Sequence, residues 1–201
     1  MKNLLKFILT VGFLLCISNF SQAVTTVTFN GLGGSNGDPL TPFVAYVENG
    51  VSVVPNENWF VAKSYGNPVP DIYYVPSGFA FAGAITMAMT NSGDFTFSSV
   101  DISSNGGVST DVFFEGRLDG DLKLFYSIAV NSNSPPSFVT HTNPNQAVII
   151  DSLVIALPPN SGVSSVNVDN IVLNSVPEPG TWLLMGAGLL GLSLARRRGK
   201  I

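Results

Sequence analysis

From Val24 to Ser175 no stretch keeps a helical period. Short runs rich in β-branched and aromatic residues follow one another instead, each closed by Gly, Pro, Asn, Asp or Ser. A chain written this way has no apolar stripe to lay along a helix and must bury alternate side chains of strands. The run 24–30 opens the series and the glycines and proline of 31–39 break it. Runs 43–50 and 51–55 predict a hairpin turned by Asn49 and Gly50, two residues that tolerate positive φ. Runs 111–118 and 122–130 predict a second hairpin around Asp119, Gly120 and Asp121. Segment 79–90, FAFAGAITMAMT, reads as a long strand apolar on both sides, and within 94–103 a change of phase near Ser98 and Ser99 marks a β-bulge. Segment 58–78 carries three prolines and reads as a surface excursion rather than as central strands. Runs 147–157 and 163–175 complete the series. About ten short strands without intervening helices predict an all-β domain, a two-sheet antiparallel sandwich of jelly-roll type; an eight-stranded barrel and a solenoid are the alternatives this pattern leaves open.

The two ends follow other rules. Lys2 and Lys6 head an apolar run that reaches Ser21 and Ala23, the layout of a secretory signal peptide, so a signal helix over 1–23 is expected to be cut after Ala23 by signal peptidase. The single cysteine, Cys16, lies inside that segment, behind the bulky Phe13, Leu14 and Leu15, which do not suit a lipoprotein cleavage site. The domain after it has no thiol and no disulfide. At the other end, 176–201, a Val-Pro-Glu-Pro element precedes an uncharged run from Thr181 to Ala195 and the cluster Arg196, Arg197 and Arg198. Fifteen residues make a helix of about 22 Å, short of a ~30 Å hydrocarbon core, so the expected transmembrane helix is marginal and suits a temporary hold. The arginines would stay cytoplasmic and residues 24–180 outside the inner membrane, while the prolines keep Glu178 extended and accessible. Three parts result: a signal peptide at 1–23, the β domain at 24–175 and the C-terminal signal at 176–201.

With both ends set aside, residues 24–176 hold only Lys63, Arg117 and Lys123 against twelve acids, a formal charge of -9 that the whole-chain figure of -4 conceals. Phosphate binding depends on clustered Lys and Arg, so nucleic acid is not an expected partner. Metal cations are attracted by such a surface.

The C-terminal stretch resembles the PEP-CTERM sorting signal of Gram-negative bacteria in three features, the VPEP tetrapeptide at 176–179, the short apolar segment and the terminal arginines. The resemblance implies recognition of Pro177, Glu178 and Pro179 by an exosortase, with Arg196, Arg197 and Arg198 as the topogenic element. It implies export through the inner membrane, transient anchoring, then the cell surface or extracellular space, in association with exopolysaccharide and biofilm. The middle of the chain is similar to extracellular domains found in front of this signal, through Phe95, Val100, Asp101 and Ile102, then Val112, Phe114 and Gly116, and last Asp169, Asn170, Ile171 and Val172. Such domains look like carbohydrate-binding-module or galactose-binding jelly rolls.

Chemistry is sparse. His141 is the only histidine, sits in a polar loop by this reading, and has no G-x-S-x-G elbow to serve. One histidine and no mature cysteine leave zinc little beyond carboxylates, whereas calcium needs only oxygens. From the resemblance, Asp169 is the place for a structural calcium ligand, with Asp119 and Asp121 as a second; the other reading is that Asp169 and Asn170 serve turn hydrogen bonds. Segment 58–78 supplies Trp59, Phe60, Tyr65, Tyr73 and Tyr74, and of these Trp59, Tyr65, Tyr73 and Tyr74 are taken as the carbohydrate-binding set, their faces for stacking and their polar tips for hydrogen bonds. The expectation is a non-enzymatic exported surface or matrix protein with affinity for extracellular polysaccharide. An exported hydrolase and a self-associating structural adhesin are the alternatives.

Overall fold

The computed structural model describes residues 23–33, 41–76, 83–106, 108–131, 137–158 and 165–176, together with Gly186, Gly188 and Leu189. Fourteen strands occur among the described residues. The first six are β1 (Val24–Val27), β2 (Thr41–Pro42), β3 (Tyr46–Glu48), β4 (Val51–Pro55), β5 (Trp59–Ala62) and β6 (Asp71–Tyr74). Then come β7 (Gly83–Met89), β8 (Phe95–Asn105), β9 (Thr110–Leu118) and β10 (Asp121–Val130). The series ends with β11 (Val139–Thr142), β12 (Ile149–Ile150), β13 (Ser152–Leu157) and β14 (Ser165–Ser175).

They form two antiparallel sheets. The front sheet runs β11-β8-β14-β6-β5-β2, with β12 also on β8 and β1 also on β14; the back sheet runs β10-β9-β13-β7-β4-β3. Alternation decides what lies between them. In β7, Ile85, Met87 and Met89 point inward while Thr86 is exposed, so the segment read as apolar on both sides has one buried face. Phe97 of β8 stacks on Phe114 of β9 at 5.5 Å, and the Tyr74 ring faces Gly83, where a Cβ would come within 2.4 Å of it. Phe29, Ile72, Ile102, Leu153 and Ile155 are fully buried with them. Each such side chain stabilises the fold by about 1.5–3 kcal/mol, so a sandwich without disulfides has an adequate core.

Both expected hairpins form. Asn49 and Gly50, at φ 50 and 79, join β3 to β4, and Asp119 and Gly120, at φ 53 and 82, join β9 to β10, with Asp121 already paired to Leu118. The phase change in β8 is also present: pairing with β14 slips between Val172 and Leu173, opposite Ser98, and again between Asp169 and Val172, where Asn170 takes φ 45. Two expectations fail. Segment 58–78 is not an excursion, because it contributes β5 and β6 to the front sheet, and its prolines, Pro68, Pro70 and Pro76, all fall outside those strands. The run 147–157 is not one strand: β12 belongs to the front sheet and β13 to the back, and the chain crosses at Asp151, whose N–H donates to the carbonyl of Arg117 at 2.8 Å.

The expected signal helix and the apolar C-terminal run lie outside the described residues, except for Gly186, Gly188 and Leu189, which are helical. Among the described residues no helix is long and apolar enough to cross a membrane.

A polar and aromatic face on the front sheet

Because Val61, Ile72, Tyr74, Val166, Val168 and Ile102 point into the core, the residues between them on β5, β6, β14 and β8 point away from it. Register aligns four of these across the sheet in one row: Phe60 beside Tyr73, Tyr73 beside Asn167, Asn167 beside Ser103. Phe60 and Tyr73 are partly exposed and their ring centroids are 5.6 Å apart at 36°. Next to this platform the Asn167 Nδ2 donates to Asp71 Oδ2 at 2.8 Å, and its Oδ1 accepts from Asn105 Nδ2 at 3.2 Å. Asn105 Nδ2 also donates to Ser165 Oγ at 2.8 Å, while Asn105 Oδ1 has no partner.

One end of the face is walled by the loop 63–70, which links β5 to β6 and is tied down by side chains from β8 and β14 and by Phe138. Asp169 Oδ2 accepts the backbone N–H of Asn67 at 2.7 Å, and its Oδ1 accepts that of Asn170 at 2.8 Å. Asp101 Oδ2 accepts from Asn170 Nδ2 at 2.9 Å and Asn67 Nδ2 at 3.2 Å, and Oδ1 accepts from Thr140 Oγ1 at 2.6 Å. Asn170 Nδ2 donates as well to the carbonyl of Asn67. From the same loop, Tyr65 stacks on Phe138 at 5.1 Å and its hydroxyl shares a 2.8 Å hydrogen bond with Ser103 Oγ. Burial disfavours the charged form of Asp71 and Asp169. It pushes Asp71 up to about 8, with the Asn167 hydrogen bond opposing and the Asp169 charge assisting. It also pushes Asp169 up to about 6, against the two backbone N–H groups it accepts and with the charges of Asp101 and Glu48. The Tyr73 hydroxyl is raised by its own burial and by Asp71.

The four aromatics read as a sugar-binding set are thus divided. Tyr73 is on the face and Tyr65 on its wall, but Trp59 and Tyr74 are core residues, 2% and 1% exposed, packed on each other at 5.7 Å. Strand parity separates them: Trp59 and Tyr74 are register partners pointing inward, whereas Phe60 and Tyr73 are the next pair and point outward. Phe60, Asn105, Asn167 and Ser103 complete the surface, and no local signal marks the last three, which belong to strands distant in sequence.

Asp169 is engaged in hydrogen bonds. Both its oxygens accept backbone N–H groups, and among the described residues no three His, Cys, Asp or Glu side chains converge so as to hold a metal ion. Asp119 and Asp121 are exposed hairpin residues, the former donating its N–H to Asp151 Oδ2 at 2.7 Å and the latter 3.3 Å from Lys123 Nζ. His141 is not in a loop: it sits in β11 opposite Val100, and burial lowers its basicity against the pull of Asp101. Ala23 stands immediately before β1, its carbonyl accepting from the N–H and hydroxyl of Ser175 at 3.0 and 3.3 Å. Pro177, Glu178, Pro179 and the terminal arginines lie outside the described residues.

The fold and this surface define a two-sheet antiparallel β-sandwich whose front sheet carries a partly exposed aromatic pair, Phe60 and Tyr73, beside the buried polar side chains of Asn167 and Ser103. The chain also carries a PEP-CTERM protein-sorting motif, matched over residues 175–198, which marks it as an exported protein with a C-terminal sorting signal. No characterised protein matches the chain in sequence. Among solved structures, a DUF4465 family protein from Bacteroides caccae shares the sandwich fold, at 8% identity and TM-score 0.52 over 77% of this chain and 100% of that one. A family 29 carbohydrate-binding module from Piromyces equi is similar at 12% identity and TM-score 0.44, over 80% of this chain and 94% of that one. An exo-beta-agarase matches at 12% identity and TM-score 0.43, over 66% of this chain and 24% of that one.

Proposed function

We propose that this chain is an exported surface or extracellular-matrix protein of a Gram-negative bacterium, whose sandwich binds polysaccharide non-catalytically on the front sheet and whose tail is processed by an exosortase. Signal peptidase releases the amino terminus after Ala23, the run 181–195 holds the chain in the inner membrane with Arg196, Arg197 and Arg198 on the cytoplasmic side, and the enzyme then reads Pro177, Glu178 and Pro179. The bound polymer belongs to an exopolysaccharide or biofilm matrix.

The observation that carries the sugar-binding part is the register row itself, in which the Phe60 and Tyr73 rings adjoin Asn167, Ser103 and Asn105. A pyranose offers an apolar C–H face and an equatorial rim of hydroxyls. The partly exposed ring pair accepts the first, and the buried, hydrogen-bonded Asn167 and Ser103 beside it hold that pair's strands in register. The test is a glycan array probed with the purified chain and with Tyr73→Ala, circular dichroism verifying that both are folded. Binding that is lost with Tyr73→Ala supports the reading; an array silent for both, or signals unchanged by the substitution, refutes it.

A further inference from the structure

We propose that the edge strand β10 pairs with β10 of a second copy of this chain, antiparallel about a two-fold axis at Ser127, so that two back sheets join into one. The inference stands apart from the saccharide reading, because β10 lies on the back sheet. Among the described residues β10, ten residues long, pairs with β9 alone, and its register with that strand runs to Val130. The other strands paired on one side only, β1, β2, β3, β11 and β12, have two to four residues. A long free edge presents a row of backbone donors and acceptors, which natural sheets shorten, bulge or charge. In β10 those devices stand at the start, as Lys123 and the slip between Leu122 and Leu124. From Leu124 to Val130 the strand has no charge, no proline and no irregularity.

What this edge leaves uncovered is complementary to itself. Inside the sandwich Phe97 stacks on Phe114 at 5.5 Å and Phe114 on Tyr126 at 4.7 Å; there the stack ends, with Tyr126 and Ile128 only partly buried against the core. On the outer face Phe125 is 62% exposed and stacks on Phe113 at 6.4 Å, while Ser127 and Ala129 beyond it are small and exposed. A two-fold axis at Ser127 sets Tyr126 against Ile128 of the second copy, Leu124 against its Val130 and Phe125 against its Ala129. Opposed residues share a face of the sheet, so the large side chain meets a small one outside and the two half-covered core residues cover each other inside. Lys123 falls opposite Asn131, and no like charges meet along the pairing. The contact consumes both β10 edges and closes at two copies, leaving only short edges free.

Sedimentation velocity of the purified full chain in density-matched detergent measures the association. A strand-edge contact buries less than about 1,200 Å², so a dissociation constant of about 1–100 µM is expected. It should tighten as salt screens the -9 charge of each domain. Ser127→Lys, at an exposed position, faces two ammonium groups across the axis and should weaken pairing at least about tenfold with an unchanged circular dichroism spectrum. In a Cys16→Ser background, Ser127→Cys puts the two thiols on opposed residues, with Cα atoms about 4.5–5.5 Å apart and within disulfide reach, whereas Ala129→Cys leaves them about 14 Å apart. Oxidation should therefore give covalent dimers from the first at least about tenfold faster than from the second. A chain that stays monomeric up to about 200 µM, pairing that survives Ser127→Lys, or equal crosslinking at 127 and 129 would overturn the proposal.

Discussion

Asp71 makes the strongest quantitative prediction. It is a fully buried acid with one oxygen bonded to Asn167 and the other without a partner, and burial pushes its carboxyl from 3.8 up to about 8. The folded protein therefore holds a proton there that the unfolded chain releases, and stability falls as pH rises from about 4 to about 8 before levelling. A tenfold change in proton affinity is worth about 1.4 kcal/mol, so the full displacement sets a ceiling of about 6 kcal/mol; relaxation and water entry bring the measurable effect to about 2–3 kcal/mol. Asp71→Asn removes the titration while retaining an acceptor for the Asn167 amide. The variant should match the natural protein within about 0.5 kcal/mol near pH 4 and exceed it by about 2–3 kcal/mol near pH 8.5. Asp169, raised to about 6, adds a slope of the same sign between about 4 and 6 to both proteins, so the difference between them isolates Asp71. Urea unfolding followed by tryptophan fluorescence reads it, since Trp59 is buried. Equal stability at both pH values, or an advantage that shrinks as pH rises, would refute the argument.

Other substitutions test other parts. Asp169→Ala unties the backbone of Asn67 and Asn170, and should cost about 2–3 kcal/mol while raising hydrogen exchange across 63–70 more than in the back sheet. Gly83→Ala drives a Cβ into the Tyr74 ring, 2.4–2.6 Å from its atoms, and should cost about 1–3 kcal/mol by thermal unfolding. Alanines in place of Pro177, Glu178 and Pro179 should leave an unprocessed form in the inner-membrane fraction; normal release of that variant would count against sorting by this motif.

How much was legible depended on whether the determining contact was local. Asn49-Gly50 and Asp119-Gly120 announce themselves because positive φ is a property of the residues in the turn. The prolines misled for a related reason: Pro68, Pro70 and Pro76 report truthfully on the links around β6, yet the four-residue strands β5 and β6 are too short for period alone to reveal. In β5 and β6 aromatic residues occupy both parities, Trp59 against Phe60 and Tyr74 against Tyr73, so hydrophobicity cannot say which pair is core. Pairing with β14 decides it. The clamp on the loop is less legible still, because Asn67, Asp101, Thr140, Asp169 and Asn170 meet only when the front sheet is assembled. Asp169 does accept a hydrogen bond, but from a partner 102 positions away, which no local pattern announces.

The assembly of that sheet also relates the ligand face to the sorting tail. β14 lies against β8 along one side and against β6 and then β1 along the other, the two short strands meeting different portions of it. Its first half carries Asn167 on the face and Asp169 and Asn170 on the clamp. Its last residues pair with β1, and Val176 donates its N–H to the Asp94 carbonyl at 2.9 Å just before the sorting motif continues. Asn167 and Ser175 lie on one extended strand, separated by about 25 Å after allowance for the irregularity at Asn170. Val176 therefore lies at the end of the sandwich away from the aromatic row, and Ala23, bonded to Ser175, lies beside it. A chain held at a membrane by that end would present Phe60 and Tyr73 at a distance from the bilayer, where a long polymer can lie across the sheet clear of the tail.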